Sequence, residues 1–557
     1  MLEAIESQLK DLLKKAGVTG EVEFSKPPKS DMGDVAFVCF GLGKNPKEEA
    51  EKLAKVLKID SLELIDEVKA FGPYVNFFFN AGELACLTLE EASKKEYGSN
   101  NSGKDKKVLI EYPSQNTHKE FHIGHFRNVC IGNPLVQFYR KSGYKVIPIN
   151  YVNDFGRHVV KALWYIQKFD KKPKGNKQKW LGEIYAEASK HIEENKEEVT
   201  PELDELQTKL EAREPETMKL FEETKSWSVG GFKNLMDELD VEHDSIIYES
   251  EVKDRGQEIV DELLEKNIAE VGERGAIIID LEKYNLGIAV LRKSTGGGLY
   301  HTSDLALAEK KFKKYKVEES INITGTEQNH YFKQLFKILE LNGFKHKMTH
   351  IGYGLVNLPS GKMSSRAGNV ILYEDLRDEV FASLKKETAE RHADWSEEKI
   401  NKTVHTLTMA VLKFTMQKHE SNKIITFDME EAMSFDGYSA PYILYATARI
   451  NSLLRKGGKA KKINTALLKE AEEKKLLMLL GEYGEVVEKA LENYNPSTVA
   501  RYCFELAQAF NDFYNKHSIL NVEDKDLVSI RLALSGAVGQ VITDSLGLLT
   551  IETVEEM

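Results

Sequence analysis

Two histidines flank a glycine in Phe121-His122-Ile123-Gly124-His125. A glycine at a helix start lets the backbone approach a ligand closely. The first N–H groups of a helix favour negative charge, and imidazoles there can donate hydrogen bonds to phosphate. The pattern suits a nucleotide, although two ordinary loop histidines would look the same. A metal site from His118, His122 and His125 is a further alternative, with no cysteine or paired carboxylate to complete it. Far downstream, S-G-K-M-S-S-R-A-G-N at 360–369 sets Lys362 and Arg366 between Gly361 and Gly368. Alone this is a solvated basic loop. With the histidines it is a second source of positive charge for a triphosphate.

These groups need a scaffold to bring them together. The chain has 557 residues, too many for one core, so three or four domains are expected. It is 41% apolar and 30% charged, with 9% aromatic residues and 13 prolines, which excludes extensive disorder. A net charge of −12 excludes a simple polycation that coats nucleic acid, but not a local basic patch. Cys39, Cys86, Cys130 and Cys503 form no C-x-x-C pair and no disulfide framework. The N-terminus reads as a charged amphipathic helix without the apolar core of a signal peptide. No run of about 18 apolar residues occurs. A cytoplasmic protein without membrane contact is expected.

Residues 108–112 form a short apolar run, followed by a helix from about Gly124 to Lys141 that Pro134 should kink. A second apolar run follows at 146–152. This strand–loop–helix–strand order predicts a parallel sheet of Rossmann type. Further strands are predicted at 276–280 and 321–324. The fold class expected is an α/β catalytic domain with a helical insertion, a small N-terminal α+β domain and an all-α C-terminal bundle. The boundaries expected are 1–100, then 101–375 with the insertion at about 170–270, a helical connection at 376–435, and a helical domain at 436–557.

The two motifs, about 240 residues apart and in this order, resemble the paired signatures of class I aminoacyl-tRNA synthetases. Within that class the chain resembles the arginyl enzymes over nearly its whole length. The matching segments are G-P-Y-V-N-F at 72–77, E-Y-P-S-Q-N at 111–116, Y-V-N-D at 151–154 and L-Y-H-T-S-D at 299–304. S-F-D-G at 434–437, A-P-Y-I-L-Y-A at 440–446 and the chain end match as well.

The resemblance implies arginine–tRNA ligation: arginine and ATP give arginyl-adenylate and pyrophosphate, and arginine then passes to the terminal adenosine of its tRNA. It implies Lys119, His122, His125 and Lys362 as catalytic groups. Gly124, Lys362, Met363, Ser364, Arg366 and His330 are expected on ATP. A guanidinium is a planar fork that keeps its proton, so its pocket needs carboxylates and carbonyl acceptors. Glu111, Asp304 and Gln328 supply such groups. By resemblance, Asp304 and Gln328 take the guanidinium with Tyr300 packed on it, while Glu111, Ser114 and Asn116 hold the other end. Tyr74 and Asn76, two apart on a strand and so on one face, are expected on an unpaired tRNA base, with Tyr514 and Met557 at the anticodon. The partners expected are the tRNA for arginine, L-arginine and ATP with its Mg²⁺, with no zinc, and the chain is expected to be a monomer.

Two positions depart from the family. Ser303 replaces the usual arginine before Asp304, and Ser365 replaces the second lysine of the downstream loop. Lys119, three residues before His122, could supply the missing ammonium. A different class I synthetase, a small nucleotidyltransferase and a catalytically dead tRNA-binding paralogue are the rival readings.

Overall fold

The computed structural model describes residues 2–57, 63–294, 298–358, 371–458 and 463–557; for Leu2, Glu3, Ala4 and Ser30 it describes the backbone alone. The chain forms two units. One comprises Met1–Ser99, Ser434–Ala490 and Thr498–Met557, the other Asn100–Met433 and Leu491–Ser497.

The second unit is built on five parallel strands: β1 (Lys107–Glu111), β2 (Lys145–Val152), β3 (Ser245–Tyr248), β4 (Glu319–Gly325) and β5 (Lys347–Tyr353). Their order is β5-β4-β1-β2-β3. Val108, Leu109 and Ile110 are all buried, as expected of a strand covered on both faces. Chain order reverses between β1 and β4, so the loops leaving their carboxyl ends open a crevice there, the usual ligand position in such sheets. Helix α1 (Ile123–Lys141) follows β1 and continues through Pro134. The Asn128 side-chain amide donates to the Ile323 carbonyl at 2.7 Å and to the Pro113 carbonyl at 3.3 Å, which pins α1 to both walls of that crevice.

The insertion carries α2 (Lys177–Glu194), a helix at Lys196–Glu211 and α3 (Pro215–Glu238). Strand β3 lies inside the range expected to be insertion, because S-I-I-Y is too short to stand out from its charged surroundings. The strand expected at 276–280 is present as Ile277–Asp280, but it belongs to a separate antiparallel sheet with Glu270–Val271 and Ile288–Arg292. Its alternation, with Ile277 and Ile279 buried and Asp280 exposed, marks a sheet covered on one face. Helix α4 (Tyr300–Tyr315) precedes β4, and α5 (Asn329–Leu341) follows it.

In the first unit a four-stranded antiparallel sheet includes a hairpin of Ile65–Phe71 and Tyr74–Phe79. The hairpin turns at Gly72, whose φ of 56° favours glycine. The C-terminal part is helical: Ala440–Gly457, Ala471–Glu492, Pro496–Lys516 and Lys525–Leu548. Among the described residues, Lys525–Leu548 alone is long and apolar enough to cross a membrane by composition, although Arg531 and Asp544 interrupt its apolar run. The helix is a core element instead. Ile530, Leu534, Val538 and Ile542 are buried, and its Arg531 pairs with the buried Glu473 at 2.8 Å.

Candidate active site

The start of α1 is capped by its own histidines. The N–H groups of Gly124 and His125 donate to His122 Nδ1 at 3.1 and 3.3 Å, and the His122 N–H donates to His125 Nδ1 at 3.3 Å. The two rings stack with centroids 3.7 Å apart. Each Nδ1 is an acceptor, so in the neutral ring each Nε2 carries the proton and is a donor. Burial, and then the charge of Lys119, push His122 down to about 4. Burial, His122 and Lys119 hold His125 well below the usual range. Near neutral pH the pair is therefore uncharged. A Cβ at position 124 would stand 3.0 Å from the His122 ring, so glycine gives that ring room to fold back as a cap.

The preceding loop is fixed by the insertion. His118 has a left-handed backbone (φ 62°), and its N–H donates to the Ser228 hydroxyl of α3 at 2.9 Å. Its ring nitrogens engage the Thr117 and Thr224 hydroxyls at 3.0 and 2.8 Å. Both nitrogens are thus occupied, which overturns the reading of His118 as a metal ligand beside His122 and His125. Lys119 follows, with its ammonium 5.1 Å from the centre of the Tyr185 ring.

Four carboxylates gather beyond β1 and β2, and they fall into two kinds. Glu111 is paired with Lys311 of α4 inside the protein (5% and 1% exposed) and accepts from the Asn322 amide at 3.2 Å. Glu111, expected to hold the substrate's amino end, thus already has a resident cation. Asp154 is paired with Lys225 of α3 at 2.7 Å and accepts from the Ser250 hydroxyl and N–H at 2.7 and 2.9 Å.

Asp304 and Glu249 differ from these, since no ion pair joins either to a described lysine or arginine. Asp304 accepts from the Tyr331 hydroxyl. Burial pushes it up to about 7 and Glu111 adds to the rise, while Tyr331 and Lys311 oppose it. Burial, followed by the charges of Asp304 and Asp154, pushes Glu249 up to about 8; the Ser303 hydroxyl stands 3.5 Å from it. Tyr151 lies among all four acids, and its buried hydroxyl has no hydrogen-bond partner among the described residues. The Ser114 hydroxyl is likewise buried without a partner among the described residues, on a backbone with φ 58°. Asn116 bridges to Asn153 beside it. Such a site lacks one cation with several donors.

Tyr300, the first residue of α4, is 66% exposed. Partial desolvation raises its phenol, followed by the nearby Glu249, Tyr185 and Asp304. Gln328 and His330 are exposed at the start of α5. Lys362, Met363, Ser364 and Arg366 lie outside the described residues. In the other unit, Asn76 is buried and its amide donates to the Met32 carbonyl at 2.5 Å, so it is not displayed beside Tyr74. The exposed Phe40 stands there instead, edge-on to Tyr74 at 6.0 Å. Tyr514 is partly exposed, with the Arg449 guanidinium 4.5 Å from its ring centre; Met557 is partly exposed at the chain end.

Sequence reasoning missed Glu249 and Lys311. Glu249 follows β3, which was hidden in the charged stretch. Lys311 lies seven residues after Asp304, two turns along the same helix, and that spacing could have revealed it.

The catalytic-domain family described as class I tRNA synthetases (R) matches residues 88–429. The arginyl-tRNA synthetase N-terminal domain family matches 1–79, and the DALR anticodon-binding domain family matches 443–557. An arginine–tRNA ligase of Bdellovibrio bacteriovorus is 35% identical over 95% of this chain and 93% of its own length. One from Clostridium botulinum is 36% identical over 95% of each. The arginyl-tRNA synthetase of Thermus thermophilus superposes with a TM-score of 0.83 over all of both chains at 25% identity. The chain belongs to the arginyl-tRNA synthetase family.

Proposed function

We propose that the chain activates L-arginine with ATP and transfers it to the 3′-terminal adenosine of its tRNA, with the crevice above β1 and β4 as the site of both steps. The observation that carries this reading is the pairing of two half-buried acids without an ion-pair partner among the described residues, Asp304 and Glu249, with neutral imidazole donors at the start of α1. The guanidinium replaces the missing cation and lies against Asp304, Glu249 and the Tyr151 hydroxyl, with Tyr300 covering it and Gln328 as a further acceptor. Ser114, Asn116 and the neutralised Glu111 take the amino and carboxylate end.

The arginine carboxylate, already ionised, attacks the α-phosphorus of ATP, and pyrophosphate leaves. No general base is needed, so catalysis is positioning and charge stabilisation. His122 and His125 donate Nε2–H to the phosphates, Gly124 lets them approach the helix, and Lys119, with Lys362 and Arg366 of the downstream loop, offsets charge on the leaving group, while Ser364 contacts ATP. Met363 and His330 lie along the nucleotide. The Mg²⁺ arrives with ATP on its phosphates. Residues 1–100 and 436–557 are the tRNA-contacting domains, through Tyr74 in the first and Tyr514 and Met557 in the second. The enzyme works as a cytoplasmic monomer.

The test is charging of tRNA with each of the twenty amino acids, together with ATP–pyrophosphate exchange with and without tRNA. Charging with arginine alone is expected, with exchange that depends on tRNA. Charging with another amino acid, or none with arginine, would overturn the reading.

A further inference from the structure

Lys119 presents a physical difficulty. An ammonium that serves phosphate chemistry must be held in place without being neutralised. Among the described residues no carboxylate forms an ion pair with it, and its closest support is the ring of Tyr185 on the insertion helix α2. The face of an aromatic ring attracts a cation through its quadrupole and carries no net charge to cancel it.

The insertion is built to hold that ring there. One turn before Tyr185, Gly182 is buried and packed on the residue after Lys119. A Cβ on Gly182 would stand 2.1 Å from Glu120 Cγ. Helix α3 holds the residue before Lys119 through Thr224 and Ser228 on His118. The two helices lock to each other, with Trp180 edge-on to Trp227 at 6.1 Å. Residues 118, 119 and 120 are thus each gripped by the insertion, and the ring of Tyr185 is the grip that acts on the Lys119 ammonium. Tyr185 also lies near Tyr300 at the mouth of the arginine pocket.

We propose that Tyr185 is a positioning residue for amino-acid activation: its ring holds the Lys119 ammonium charged and directed at the ATP phosphates, which makes the helical insertion a wall of the catalytic centre. This rests on the role given to Lys119 above, and the experiment separates the two.

Arginine-dependent pyrophosphate exchange is measured on the full chain with tRNA present, for Tyr185→Phe, Tyr185→Leu, Lys119→Met and the double variant Tyr185→Leu/Lys119→Met. Tyr185→Phe keeps the ring and should stay within about twofold of the parent kcat. Tyr185→Leu should lose roughly tenfold in kcat, the size of one desolvated cation–π contact, with the KM for arginine nearly unchanged. In the Lys119→Met background the same change should cost less than about twofold, because the group it acts through is gone. Fluorinated phenylalanines at position 185 weaken the ring's negative face at nearly constant shape. A stepwise fall in kcat with fluorination is expected, and it tests the idea even if the leucine variant fails to fold. A flat fluorination series, a Phe variant as impaired as the Leu variant, or multiplicative losses in the double variant would overturn the role of Tyr185. A neutral Lys119→Met would instead remove the role of Lys119 itself.

Discussion

The guanidinium side of the centre and its phosphate side handle charge in contrasting ways. On the first, no ion pair joins Asp304 or Glu249 to a described lysine or arginine, and burial, followed by neighbouring carboxylates (Glu111 for Asp304, Asp304 and Asp154 for Glu249), drives both pKa values up. On the second, His122 and His125 are driven down and stand neutral, and Lys119 is supported by a ring. The difference follows from what each side receives. A guanidinium keeps its charge and brings it to the pocket, so the protein supplies acids whose desolvation only the ligand relieves. A triphosphate arrives with its Mg²⁺, so neutral imidazole donors at the helix start give directional hydrogen bonds without adding charge of their own.

Glu111 and Asp154 sharpen that contrast, since they stand among the same acids and already have their cations. Lys311→Met should strand Glu111 as a buried unpaired acid. Breaking such a pair costs about 3–5 kcal/mol. Chemical denaturation should show that loss, and Lys311→Arg should recover most of it. An unchanged unfolding midpoint would mean that water reaches Glu111 and that the two kinds of acid are not distinct. Asp304→Asn should act on binding instead. Removing one partner of a buried charge pair costs about 2–5 kcal/mol, so the KM for arginine should rise by about a hundredfold while that for ATP stays within threefold. Equal losses for both substrates would erase the division between the two sides.

Much of this was legible in the sequence, for reasons that differ by element. Helix α1 and its histidines could be read because capping, glycine and strand-to-helix order are local. Asp304, Ser114 and Asn116 came from resemblance, and no spacing rule would have placed them beside Tyr151. Glu249 was unreadable because it gains meaning only when β3 joins the edge of the sheet next to β2. Asn76 misled because period-two alternation assigns a face without saying which face is covered; here a tight approach to Met32 buries its amide. Tyr185 could not be found at all, since its partner is 66 residues away on another element.

The central claim is that arginine supplies the cation that Asp304 and Glu249 lack. It carries a proton count. In the free pocket these acids titrate near 7 and 8, so below those values they hold protons that a bound guanidinium must displace. Affinity for arginine should therefore climb as pH rises through this window and level off above it. The most direct measurement is titration calorimetry of arginine into the tRNA-bound enzyme, in buffers of different ionisation enthalpy. The result expected at pH 7 is release of between about one and one and a half protons per arginine, falling toward zero by about pH 9. Binding at pH 7 with no proton released, or with protons taken up, would contradict the account.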